Sequence, residues 1–221
     1  MATLKRILIT GSSGYLGQHV LQALCKSGKD KFEITAAFGS LASFRADVVS
    51  SGVPCHENVN LVSVDLASVD STVSFLDANG PFDVVIHLAA VSSLYQCETD
   101  QEKSAAVNVD GGPHALLRYL SNQEKDCTFI LSSTDQVYDG LHAPYTEGDA
   151  TEPVNFYGQT KLRLEELLLK QHKTCNSGGE DDNTKLVNHK FRPIILRSSL
   201  ILGGKTPLGA CRKQTFLQWA D

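Results

Sequence analysis

The 221-residue sequence has no C-x-x-C pair; its six cysteines stand apart at Cys25, Cys55, Cys97, Cys127, Cys175 and Cys211. That scatter argues against a zinc site or a disulfide framework and predicts reduced thiols. No apolar run approaches the ~20 residues that span a bilayer, and no long apolar stretch follows the first charged residues. A membrane anchor or secretory leader is therefore not expected, and cytoplasmic residence is the default. The net charge is -5, and no basic tract forms a nucleic-acid surface. No internal repeat is evident. With 42% hydrophobic residues, the chain has material for one sizeable core.

Near the N-terminus stands ILITGSSGYLG, Ile7 to Gly17. Ile7, Leu8 and Ile9 read as a strand that Thr10 closes. Gly11, Gly14 and Gly17 follow at G-x-x-G-x-x-G spacing, and Val20, Leu21 and Leu24 continue as an amphipathic helix. A glycine turn between strand and helix is the sequence form of a dinucleotide site. The first glycine makes the tight turn, the second admits backbone to a pyrophosphate, and the third lets helix pack on strand. The phosphates would rest on the unpaired N–H groups at the helix start.

Further strands read at Phe32–Phe38, Val59–Val64, Phe82–Ala90, Cys127–Leu131 and Pro193–Arg197, with helical stretches between them. Such alternation predicts an α/β protein with a doubly wound parallel sheet. An acidic residue at the end of the second strand would bond the ribose hydroxyls of NAD. Here that end reads Phe38-Gly39-Ser40, without a carboxylate, and Arg45 follows. Ser40 and Arg45 are candidate contacts for a 2′-phosphate, so NADP(H) is the expected cofactor, with NAD(H) the alternative. Asp65 leaves the third strand, where it would meet adenine or cap the next helix; capping is the simpler reading. His87 reads as a packed residue and not as a base or ligand. Residues 98–120 read as helical, interrupted at Gly111-Gly112-Pro113. The polar, acidic stretch 175–190 reads as an exposed loop insertion.

Tyr157 and Lys161 are four residues apart at a helix start, so both project from one face. A phenol with a pKa near 10 is a poor acid at neutral pH, and a neighbouring ammonium would make its proton easier to exchange. Thr134 follows the fifth strand with a hydroxyl able to hold a substrate oxygen. All three belong at the carboxyl edge of a parallel sheet.

These motifs together resemble the extended short-chain dehydrogenase/reductases. The residues that carry the resemblance are TGSSGYLG (Thr10 to Gly17), Asp65-Leu66, HLAA (His87 to Ala90), Asn108, SST (Ser132 to Thr134), YGQTK (Tyr157 to Lys161) and LRSSLILG (Leu196 to Gly203). Within that superfamily, SSTDQVYDG and the stretch from Pro144 to Glu166 resemble dTDP-4-dehydrorhamnose reductases. They equally resemble the non-catalytic regulatory beta subunit of methionine adenosyltransferase.

The resemblance implies a Rossmann-type sheet with Thr134, Tyr157 and Lys161 as the catalytic set. Thr134 would orient a carbonyl, Tyr157 would donate the proton, and Lys161 would hold the nicotinamide ribose and lower the tyrosine pKa. Gly11, Ser13, Gly14, Tyr15, Leu16, Gly17, Asp65, Leu66, Ala89, Ala90, Val91 and Ser198 would meet the cofactor, and Asn108 would be structural. Gln136 departs from the aromatic residue common at its position. The implied partners are a small carbonyl substrate or a methionine adenosyltransferase catalytic subunit, with a homodimer as one option for the oligomeric state. Residues 1–203 would form the NAD(P)-binding domain. Residues 204–221 would begin a substrate lobe that is largely truncated, since this branch usually continues well past Asp221.

Overall fold

In the computed structural model, residues 4–27, 31–39, 59–176, 191–201 and 206–207 are described. Six strands form one sheet: β1 (Lys5–Thr10), β2 (Phe32–Phe38), β3 (Val59–Ser63), β4 (Val84–His87), β5 (Cys127–Thr134) and β6 (Phe191–Ser198). Their order is β3-β2-β1-β4-β5-β6, and every neighbouring pair is parallel. The chain first builds outward from β1 through β2 to β3, then returns to lay β4 on the other side of β1. That reversal opens a crevice beyond the carboxyl ends of β1 and β4.

The helices are α1 (Tyr15–Ser27), α2 (Val69–Asn79), α3 (Leu94–Thr99), α4 (Gln101–Ala105), α5 (Gly112–Asn122) and α6 (Phe156–Asn176). Successive strand residues point to opposite faces, so β1 feeds two cores. Leu8 joins Val85, Phe129 and Leu131 under Leu76 of α2, Leu116, Leu117 and Leu120 of α5, and Leu164 and Leu168 of α6. Ile7 and Ile9 pack with Ile34, Ala36 and the α1 residues Leu21 and Cys25 on the other face. Covering both faces is why the strands read as nearly continuous apolar runs.

The expected helix over 98–120 is differently divided. It begins at Leu94, where the Ser93 hydroxyl accepts the Gln96 N–H at 3.3 Å. Asp100 then ends α3 and caps α4 by accepting the Lys103 N–H at 3.1 Å. A π-helical turn, Ala106–Asp110, closes with the Gly111 N–H on the Ala106 carbonyl at 2.9 Å. Pro113 opens α5, in the first turn, where its missing N–H is not needed.

Helix α6 runs through Asn176, so the expected loop insertion cannot begin at 175; its remaining residues, 177–190, lie outside the described residues. Cys25 is disulfide-bonded, which corrects the expectation of six reduced thiols, while Cys97, Cys127 and Cys175 form no disulfide. Among the described residues, no helix is long and apolar enough to cross a membrane.

Candidate active site

Backbone crowding builds the first wall of the site. Gly11 has φ +71°, in the left-handed region, and a Cβ there would stand 2.7 Å from the Ala89 nitrogen. A Cβ on Gly17 would collide with the Gly11 carbonyl oxygen, so α1 can approach its own turn only with glycine here. Ser12, fully buried, donates its hydroxyl to the Ala37 carbonyl at 2.8 Å and ties the turn to β2. The α1 amino end, whose first N–H groups have no intrahelical acceptor, faces the crevice.

That crevice is a cavity of about 1190 Å³. Gly11, Ser13, Gly14, Tyr15, Leu16 and Gly17 line one end of it. Asp65 and Leu66 line it beyond β3, and Ala89, Ala90 and Val91 beyond β4. Thr134, Tyr157, Lys161 and Ser198 stand around the same cavity. Ser40 and Arg45 lie outside the described residues. Asp65 is not the helix cap: its Oδ1 accepts the Ala67 N–H at 2.9 Å, while Ser68 caps α2. A two-residue loop separates Asp65 from Ser68, so the carboxylate closes the turn before the helix begins.

Below the cradle, the Thr10 hydroxyl meets His87 Nδ1 at 2.8 Å, and the Ala89 N–H reaches the same hydroxyl at 3.4 Å. His87 is fully buried, and burial, aided by the Lys161 charge, pushes its pKa down to about 3. The imidazole is neutral and packed, beneath the cavity wall.

The wall that carries Thr134, Tyr157 and Lys161 is assembled from β5, the start of α6 and the loop after β4. Asn155 accepts the Gly158 N–H at 2.8 Å and donates to the Gln136 side chain at 2.9 Å. Gln136 is therefore bound to the start of α6, on the rim of the cavity it lines. A Cβ on Gly158 would collide with the Gln136 carbonyl, so this glycine sets how closely α6 approaches the end of β5. The spacing of YGQTK carried that signal, unread in the sequence.

Tyr157 is mostly buried, and its pKa is pushed up to about 12, by burial first and then by Cys97 and Asp135. Lys161 is not among the groups that set this shift; burial sets its direction. Lys161 is 2% exposed, and burial pushes its pKa down to about 8, opposed by the Glu165 charge. The Thr134 hydroxyl donates to Asp135 Oδ1 at 3.2 Å and accepts the Gln136 N–H at 3.2 Å. Asp135, Glu165 and Cys97 were not singled out in the sequence. Glu165 had a legible signal, four residues beyond Lys161; Asp135 had only its adjacency to SST, and Cys97 had none.

The sheet order and the glycine turn define an extended Rossmann-type NAD(P)-binding fold of the superfamily that includes reductases and epimerases. More particularly, the chain belongs to the RmlD substrate binding domain family, whose model matches residues 5–176. It is 30% identical over 208 residues to the probable low-salt glycan biosynthesis reductase Agl14 of Haloferax volcanii, covering 90% of this chain and 62% of that protein. It is 28% identical over 167 residues to dTDP-4-dehydrorhamnose reductase of Aggregatibacter actinomycetemcomitans, covering 74% and 47%. It is 29% identical over 173 residues to methionine adenosyltransferase 2 subunit beta of Rattus norvegicus, covering 76% and 44%. The chain thus spans roughly half the length of these relatives. UDP-glucuronic acid 4-epimerase from Bacillus cereus, solved with NAD, has the same fold, with a TM-score of 0.67 at 24% identity over 88% of this chain and 56% of the other.

Proposed function

We propose that this protein is an NADP-dependent reductase acting on the 4-keto group of a nucleotide-activated deoxysugar. The observation that carries the reading is the placement of Thr134, Tyr157 and Lys161 at one end of a cavity whose other end is the glycine turn. The residues fit the group: Gly14 offers only hydrogen to the cavity, and a Cβ there would crowd the Gly11 carbonyl at 3.2 Å. Gly11 to Gly17 would hold the pyrophosphate, Asp65 and Leu66 the adenine, and Ala89 to Val91 the middle of the cofactor. When bound, the nicotinamide supplies hydride to the carbonyl carbon.

The chain's own residues do the rest. Thr134 holds the carbonyl oxygen with a hydroxyl now shared with Asp135. Tyr157 keeps its proton up to about pH 12, so it is a stored acid that gives that proton to the oxygen as negative charge develops there. Lys161, charged below about pH 8, stabilises the phenolate left behind and binds the ribose hydroxyls. Asp65, exposed after β3, remains free on one oxygen to accept from adenine.

The test is reduction of dTDP-4-dehydrorhamnose with NADPH, followed at the nicotinamide absorbance band, in the parent protein and Tyr157→Phe. The expected result is turnover in the parent, no turnover in the variant, and equal NADPH binding in both. Retained turnover in Tyr157→Phe overturns the acid role.

A second reading is favoured by the likeness to methionine adenosyltransferase 2 subunit beta over 173 residues. In it the chain keeps NADP in the same cavity but works by contacting a methionine adenosyltransferase catalytic subunit. Co-sedimentation with that catalytic subunit, in a protein that fails to reduce the sugar, is its expected signature.

A further inference from the structure

Glu165 stands one turn beyond Lys161 and two beyond Tyr157 on the same face of α6. Its side chain is 1% exposed, and a carboxylate that deep must be matched by donors. Arg197 of β6 supplies them in a fork, Nη2 at 2.7 Å and Nε at 3.1 Å from Oε2. The Ser133 hydroxyl of β5 donates to Oε1. Ser133 and Arg197 are register partners across β5 and β6, and Thr134 is the next residue on its strand. Arg197 is held in turn by its Nη1 on the Tyr138 hydroxyl at 2.6 Å, and that hydroxyl donates to the Thr146 carbonyl at 2.9 Å. One carboxylate thus binds the strand that ends at Thr134, the neighbouring strand and the reactive helix.

We propose that Glu165 is a positioning residue: held by Arg197 and Ser133, it seats the Tyr157–Lys161 face of α6 against the end of β5 and keeps the Lys161 ammonium charged. This rests on the reading of Lys161 as the residue that holds the cofactor. A buried ion pair by itself adds little stability over an apolar pair, so stability alone does not account for one. Six charged or titratable groups bear on this corner. His87 approaches Lys161 from β4 and is neutral, Glu165 lies beside it on α6, and Arg197 is already paired with Glu165. Tyr157, next along the helix, faces Asp135 after β5 and Cys97 of α3. Glu165 is the anion that opposes the loss of the lysine proton to burial.

The test is Glu165→Gln in the full chain without cofactor or substrate, with the Lys161 titration followed by NMR of ¹³C-labelled lysine side chains. The expected result is a fall in the Lys161 pKa of about one unit or more, with partial return in Glu165→Asp. The basic limb of NADPH binding should move to lower pH by the same amount. If Glu165→Gln does not fold, Glu165→Asp alone is measured the same way, with a smaller fall in the Lys161 pKa expected. An unchanged lysine titration in whichever variant folds overturns the proposal. Because that titration needs neither cofactor nor turnover, its failure is distinct from absence of sugar reduction, which counts only against the proposed activity.

Discussion

The Asn108 carboxamide clasps both backbone groups of Val91: its Oδ1 accepts the Val91 N–H at 2.8 Å, and its Nδ2 donates to the Val91 carbonyl at 3.1 Å. Nδ2 also reaches the Thr160 hydroxyl at 3.1 Å, and that hydroxyl donates to the Tyr157 carbonyl at 2.8 Å. The π-helical turn 106–110 carries the clasp, so an unusual backbone turn joins the wall after β4 to the helix that carries Tyr157 and Lys161. Asn108→Ala removes all three of these hydrogen bonds and leaves the Val91 N–H without the Asn108 acceptor. It should destabilise the protein by about 2–4 kcal/mol, read from the midpoint of urea unfolding at unchanged slope.

Gly17→Ala should be the more damaging of two glycine substitutions. Its Cβ would meet backbone atoms of Gly11 and Ser12, which cannot move without opening the turn, whereas a Cβ on Gly39 meets nothing within 4 Å. Gly17→Ala should lose NADPH binding and at least about 2 kcal/mol of stability. Gly39→Ala should stay within about 1 kcal/mol of the parent. Thermal unfolding with and without NADPH compares them.

Lys161→Met should raise stability while abolishing cofactor binding. The lysine pKa falls from 10.5 to about 8 on folding, so below pH 8 the folded protein carries a buried charge at a net penalty. Between pH 8 and 10 the unfolded chain binds more protons, and parent stability should rise with pH. Above pH 10 Tyr157, raised to about 12, reverses the slope, because the folded state then holds the extra proton. The methionine variant should gain roughly 1–3 kcal/mol at pH 7 and lose the rise between pH 8 and 10. Urea unfolding at pH 7, 8, 9 and 10 measures both.

NADPH should bind more tightly than NADH. β2 ends at Phe38, and Gly39, which lines the cavity, follows it without a carboxylate to repel a 2′-phosphate. Preference should weaken with added salt, because the distinction is one phosphate charge. Fluorescence titration of both nucleotides at two ionic strengths decides it; equal affinities at low salt remove the role given to the missing acid.

Much of this protein was legible as a string of residues because its signals are local. β1, the glycine turn and α1 are adjacent in sequence, and φ preference, close approach and helix packing act over a few residues. Short stretches rich in apolar residues marked all six strands, since a parallel sheet covered on both faces needs no strict alternation. The four-residue spacing of Tyr157 and Lys161 put them on one face before any fold was known. The break at Asp100 was not legible: a side chain that ends one helix and starts another looks like any acid inside a helical stretch.

The sequence by itself determined the elements, their class and the kinds of chemistry available, through conformational preference and periodicity along the chain. Tertiary structure alone decided the electrostatics. Tyr157 is held protonated and Lys161 brought near pH 8 by burial, which depends on what packs above them from β4, β5 and α3. Glu165 could have been a solvated helix acid until β6 placed Arg197 beside it. Desolvation and pairing are set by distances between segments far apart in the chain, and only folding brings those segments together.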